Sequence, residues 1–308
     1  MNSLKRQKIA NIRKTWTLMI FFLCLVIAVG WGFSRIYGNP GILYFAVAFS
    51  LLMNIIGYWF SDKIVLAMHR ARRVDPAADK DIYALLKNLS GASGLPMPKF
   101  FIINDSAPNA FATGRNAKHA SVAATTGLLE RLDKGELEGV LAHEISHIGN
   151  RDMLVSTVAV VLVGFVTILS DMFMRSLWFG GLRRDDDRNS GGVIMIIGIA
   201  SAILAPIFAS LIHLAVSRQR EFLADASAAY LTHHPERLAS ALRKISDFGT
   251  SLRTAGNSTA HLFFANPFGA DNPKGSPRAK HVTSRLAKLF MTHPPIEERI
   301  QALEKLRV

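Results

Sequence analysis

Two apolar runs near the N-terminus constrain this chain before anything else does. Residues 16–36 are almost uncharged, and 41–60 repeat the pattern after a short gap. About 20 apolar residues at a rise of 1.5 Å each match the ~30 Å hydrocarbon core of a bilayer, so either run is long enough to span one. In lipid every backbone polar group must be satisfied within the segment, which at these lengths leaves the helix. Two further runs follow, at 154–173, broken only by Asp171, and at 193–216, where Pro206 predicts a kink. Half of the 308 residues are hydrophobic, and the mean hydropathy is +0.23. Lys5, Arg6, Lys8, Arg13 and Lys14 precede the first run as they would in a signal peptide. The run exceeds a typical signal core, however, and a second span follows at once, which argues for a retained hairpin.

The formal net charge of +13 admits two partners, nucleic acid or anionic lipid. The basic residues cluster at span ends: five before the first run, then Lys63, Arg70, Arg72 and Arg73 after the second, against Arg35 alone between them. By the positive-inside rule the N-terminus and 61–152 are cytoplasmic, and no nucleic-acid partner is expected. Two more spans would return 217–308 to the same side. Arg183, Arg184 and Arg188 in the loop 182–192 argue weakly against its translocation, so 153–216 reads as a helical hairpin that either spans or only inserts. The single cysteine, Cys24, excludes an internal disulfide and is expected to be buried and inert.

The soluble parts alternate helix and short strand. Residues 79–90 carry Ile82, Leu85, Leu86 and Leu89 on one helical face. Residues 99–103, 108–114 and 120–126 read as three strands of a small antiparallel meander. Asp133 is placed to cap a helix over 134–150. Helices are expected again at 217–231, 235–248 and 295–306, and a Gly-, Pro- and Asn-rich loop at 250–280. The expected class is an α-helical integral membrane protein with a mostly α, small antiparallel β catalytic domain. Its division is a cytoplasmic segment 1–15, two transmembrane helices 16–60, a first half-domain 61–152, the hairpin 153–216 and a second half-domain 217–308.

The helix over 134–150 contains His143-Glu144-Ile145-Ser146-His147. Residues four apart share a helix face, so both imidazoles reach one metal ion, and Glu144 follows the first. Zinc bound this way lowers the pKa of its water to about 7, and Glu144 can take that proton and pass it to the leaving amine. The motif alone is only moderately specific, since a polar face with two solvated histidines has the same spelling. Leu141, Ala142, Ile145 and Ile148 make the helix part-buried, and buried polar groups need partners. A third ligand is required. Met153 stands where a metzincin would place a third histidine. Glu221 is the candidate, with Asp225 four residues on to accept the free N–H of a ligand histidine. On spacing alone Glu221 reads equally as a surface acid paired with Arg218 or Arg220. An antiparallel hairpin of the third and fourth runs would favour ligation by bringing residues near 152 and 217 together at the membrane face.

The N-terminal span pair, PNAFATG at 108–114, TTGLLERL at 125–132, LAHEISHIGNRD at 141–152, SRQREFLADASAA at 217–229 and THPPIEERI at 292–300 occur in this order over nearly the whole chain. In these the chain resembles the HtpX family of bacterial membrane zinc peptidases, relatives of the eukaryotic CAAX prenyl protease. The resemblance implies a gluzincin-like domain with one zinc on His143, His147 and Glu221. It also implies proteolysis of damaged membrane proteins on the cytoplasmic side of the inner membrane, and a substrate lying along the strand Asn109, Ala110, Phe111, which otherwise is an ordinary sheet strand. His293 could donate to a developing oxyanion or serve only as a helix-entry residue, and Arg299 is a candidate partner of Asp225 or Glu221. Two alternatives stay open: a prenyl protease, disfavoured by only four apolar runs, and a non-catalytic membrane scaffold or metal sensor, disfavoured by Glu144.

Overall fold

The computed structural model describes residues 2–36, 38–77, 79–180, 218–248, 251–253, 259–267 and 294–306. The fourth apolar run, the loop 182–192, His293 and most of 250–280 lie outside them.

Two long helices open the chain, α1 (Asn2–Ile36) and α2 (Pro40–Met68). The turn between them uses Gly38 at φ 64°, and Asn39 caps α2 by accepting from Gly41 N–H. Both helices are long and apolar enough to cross a membrane. Only one stripe of α1 is covered, through Asn11, Thr15, Leu18, Met19 and Phe22, at the spacing of a single helical face. Trp16, Trp31, Tyr44, Phe45 and Trp59 are exposed, as lipid-facing aromatics are. Cys24 corrects the expectation of burial: it lies off the packed stripe and is exposed.

The third run lies in α6 (Asp152–Gly180), which packs against both α1 and α2. Its residues 153–163 are buried apart from Ser156. Gly57 of α2 faces Leu162 and Val161. The helix before it, α5 (Lys134–Asn150), meets α6 at 83°. The corner is Arg151, in the left-handed region at φ 58°.

Four short strands form one sheet, β1 (Arg72–Arg73), β2 (Lys99–Ile103), β3 (Ala110–Thr113) and β4 (Ser121–Thr125). Their order is β1-β2-β4-β3, with β2 parallel to β4 and β3 antiparallel to β4. The sheet is therefore mixed, and the antiparallel meander expected from sequence is corrected. Residues 104–109 carry the chain past β4 to the outer edge. Asp105 fixes that crossing: its carboxylate accepts from Ala107 N–H and Arg253 N–H, and its carbonyl from Gly127 N–H and Thr126 Oγ1. A Cβ on Gly127 would lie 2.0 Å from the Ser106 carbonyl oxygen, so only glycine fits. Every residue of β3 and β4 is buried, which explains their runs of alanine where a one-sided sheet would alternate.

Around the sheet lie α3 (Lys80–Ser93) and α4 (Thr126–Arg131), then α5, α7 (Arg218–Thr232), α8 (Pro235–Ser246) and α9 (Ile296–Glu304). Asp133 and Glu136 close a reciprocal capping box on α5 at 2.9 and 3.0 Å. The Glu136 carboxylate also accepts from Ser240 and Lys244 of α8. Along this contact Gly139 brings the two backbones together, since a Cβ there would sit 3.1 Å from Leu238 N and Cα. Gly139→Val is expected to lower stability by about 1–3 kcal/mol through overpacking, seen as a lower Tm in detergent.

Candidate metal and catalytic centre

Three chain segments deliver the centre. The middle of α5 supplies His143, Glu144 and His147. The first turn of α7 supplies Glu221, with Asp225 one turn on. Helix α9 brings Arg299 from the far end of the chain. His143 is 0% exposed, Glu144 2%, Asp225 2% and Arg299 0%. The two imidazole Nε2 atoms lie 3.0 Å apart. Glu221 Oε2 is 3.8 Å from His143 Nε2, and Oε1 is 3.6 Å from His147 Nε2. Ligands held tetrahedrally at 2.0–2.1 Å from zinc stand about 3.3 Å from one another, so these donors bracket the required spacing. Among the described residues this is the one cluster of its kind.

Each histidine is oriented from behind by a carboxylate. His143 Nδ1–H donates to Asp225 Oδ1 at 2.9 Å, and His147 Nδ1–H to Asp152 Oδ2 at 3.3 Å. Both tautomers are thereby set with Nε2 free to bind metal. Asp152, at the start of α6, has no assigned role in the sequence reading. Five residues after His147 and one past a sharp corner, it folds back beneath the helix it follows, and that corner leaves no mark in the sequence. Arg299 donates to both oxygens of Asp225 at 2.7 and 2.8 Å and lies 3.7 Å from Glu221.

The electrostatics call for a cation. Glu144, Asp152, Glu221 and Asp225 are four carboxylates buried or nearly so, and Arg220 and Arg299 are two guanidiniums. With all four carboxylates ionised and both histidines neutral the excess is two negative charges, which a proton on His147 or a cation between the ligands would reduce. The proton affinities carry the same deficit. Burial opposes charge on His147, but the Asp152 hydrogen bond and the charges of Glu221, Asp152 and Glu144 outweigh it and raise its pKa to about 9. Burial and the Glu221 charge push Glu144 up to about 7, against His147, Arg299 and the Ala112 N–H that donates to it. His143, dominated by burial, falls to about 4. Burial would raise Asp225, yet Arg299 holds it below the ordinary carboxylate value.

The segment 259–267 closes one side of the centre. Phe264 N–H donates to the Ala110 carbonyl of β3 at 2.8 Å, and its ring stands edge-on to His143 with centroids 4.9 Å apart. Arg299 donates to the Phe264 carbonyl at 2.9 Å. The Asn109 side chain exchanges two hydrogen bonds with the Ala265 backbone at 2.8 and 3.1 Å and also accepts from Ala110 N–H. Phe111 points the other way, into a cluster with His69 and Phe263. Thus Ala110 and Ala112 face the centre through their backbones, while Asn109 clamps the covering segment. In the sequence this segment reads only as part of the Gly-, Pro- and Asn-rich loop 250–280.

Residues 76–307 match the model of a family described as Peptidase family M48. Curated relatives called Protease HtpX homolog align over nearly the full length. The one from Caldanaerobacter subterraneus subsp. tengcongensis is 42% identical over 303 residues, covering 97% of this chain and 96% of the relative. That from Syntrophobacter fumaroxidans is 44% identical, covering 95% and 98%. That from Pyrococcus abyssi is 44% identical, covering 95% of each. The crystal structure of S. mikatae Ste24p shares the fold at a TM-score of 0.52 and 18% identity, over 97% of this chain and 67% of that one.

Because His147 holds a proton up to about pH 9, a metal must displace it. Apparent zinc affinity is expected to rise about tenfold per pH unit from 7 towards 9 and then level off, measured by chelator competition on the purified protein. An affinity independent of pH across that window would contradict the assignment of His147.

Proposed function

The chain belongs to peptidase family M48, and we propose that it is a zinc-dependent endopeptidase working at the cytoplasmic face of the bacterial inner membrane on damaged or misfolded membrane proteins. One observation carries this reading: His143 Nε2, His147 Nε2 and a Glu221 oxygen lie within 4.8 Å of one another, with the buried base Glu144 next to the first of them. The metal ligands are His143, His147 and Glu221, for one zinc per chain. When bound there, zinc supplies Lewis acidity to the scissile carbonyl and makes water more acidic.

The protein's own groups do the rest. Glu144, with a pKa of about 7, is poised to take a proton from the attacking water and return it to the leaving amine, since a shuttle works best near the operating pH. Asp225 and Asp152 hold the histidine tautomers, and Arg299 balances Asp225 and Glu221. A substrate strand along Asn109, Ala110 and Phe111 would take the β3 edge in the manner of strand augmentation by displacing the 259–267 segment, whose Phe264 N–H occupies the Ala110 carbonyl and whose Ala265 backbone holds Asn109. His293, three residues before α9, is assigned as the donor to the developing oxyanion.

Two supports favour a membrane substrate. Helices α1 and α2 are long and apolar enough to span, and α5 turns straight into the apolar α6. In this division 1–15 is cytoplasmic, 16–60 spans twice, 153–216 is a membrane hairpin, and 61–152 with 217–308 form the catalytic domain.

The test compares wild type with Glu144→Gln in detergent, on an unfolded membrane protein. The variant is expected to keep its zinc and to lose at least about 10²–10⁴-fold in cleavage rate. Equal cleavage by both would sink the mechanism.

A further inference from the structure

The first helix is longer than its membrane task requires. Its apolar part, 16–36, spans about 30 Å at 1.5 Å per residue, yet α1 begins at Asn2. The preceding turns run on against α5 and α6. There Asn11 is 3% exposed and Thr15 is 1% exposed. A buried amide needs partners, and those of Asn11 belong to the metal centre. Its Nδ2 donates to Asp152 Oδ1 at 2.5 Å and to the Asn150 carbonyl at 3.0 Å. The opposite oxygen of Asp152 accepts from the metal ligand His147.

We propose that Asn11 is a positioning residue for His147, acting through Asp152, so that the zinc centre is complete only when the cytoplasmic end of the first membrane helix is docked. This rests on the zinc-protease reading of the same site. The Asn11 amide does two things at once. One N–H satisfies a carbonyl that the end of α5 leaves without a helical partner. The other fixes the rotation of the Asp152 carboxylate, whose Oδ1 also lies at the longer distance of 3.6 Å from Arg220 Nη1. A carboxylate free to rotate would hold His147 Nδ1 less firmly, and metal affinity depends on that hydrogen bond.

Plain interface packing is the competing account, and Thr15 isolates it. Thr15 lies one turn on, buried in the same contact, with its hydroxyl spent on the Asn11 carbonyl of its own helix. The experiment measures zinc affinity by chelator competition, with Tm alongside, on the full chain in detergent. The variants are Asn11→Ala, Thr15→Val, Asp152→Ala and the Asn11/Asp152 double alanine. Asn11→Ala is expected to weaken zinc binding about 10- to 100-fold, Thr15→Val to leave it within twofold whatever its Tm, and Asn11→Ala to add nothing on the Asp152→Ala background. Unchanged affinity in Asn11→Ala, or losses that simply add in the double variant, would overturn the inference while leaving the proposed function standing. A wild type that binds no zinc would overturn both.

Discussion

Arg299 is completely buried, and a guanidinium withdrawn from water is tolerable only beside carboxylates. Asp225 supplies both of its oxygens and Glu221 lies close by. Removing one member of such a pair typically costs about 3–5 kcal/mol, because the other charge stays buried. The remainder of the centre hangs on this arrangement. Asp225 turns His143 towards His147, α9 is held against α7, and the Phe264 carbonyl is held by the same guanidinium while the Phe264 ring stands edge-on to His143. One ion pair thus ties α7, α9 and the 259–267 segment to a single point beside His143.

The second constraint is the corner at Arg151. An 83° turn sends the chain from the metal-binding helix directly into an apolar one. Asp152, the first residue beyond the corner, reaches back to His147, so the turn that leads into the apolar helix also orients a candidate ligand. The first helix packs into the same corner. Through Asn11, α1 shares buried polar contacts with this corner, which is the basis for assigning it a part in the site as well as in anchoring.

Much of this was legible in the sequence. The extents of β2 and α5 agree with their patterns, because a capping Asp, a Gly-rich break and apolar periodicity are local signals. That His143 and His147 share one face follows from their four-residue spacing on a helix. What was not legible depends on distant chain. The parallel pairing of β2 with β4 is decided by the Asp105 corner and by Gly127 lying against Ser106, neither of which has a periodic signature. The engagement of the Asn109 amide with Ala265, 156 residues away, has no local signature either. Asp152 and Asn11 were invisible for the same reason: each looks like an ordinary polar residue near a helix end until the corner brings them together. Cys24 followed the hydropathy of its run, whereas its exposure follows from which face of α1 the neighbours cover.

X-ray absorption at the zinc edge, on wild type purified from membranes without added metal, tests the central claim most directly. The account predicts one zinc per chain, about four N or O neighbours near 2.0–2.1 Å, and outer-shell scattering from two imidazoles. It also predicts loss of one light-atom neighbour, or of the metal, in Glu221→Ala. A shell with three imidazoles, a shell unaltered in Glu221→Ala, or protein without zinc would contradict it.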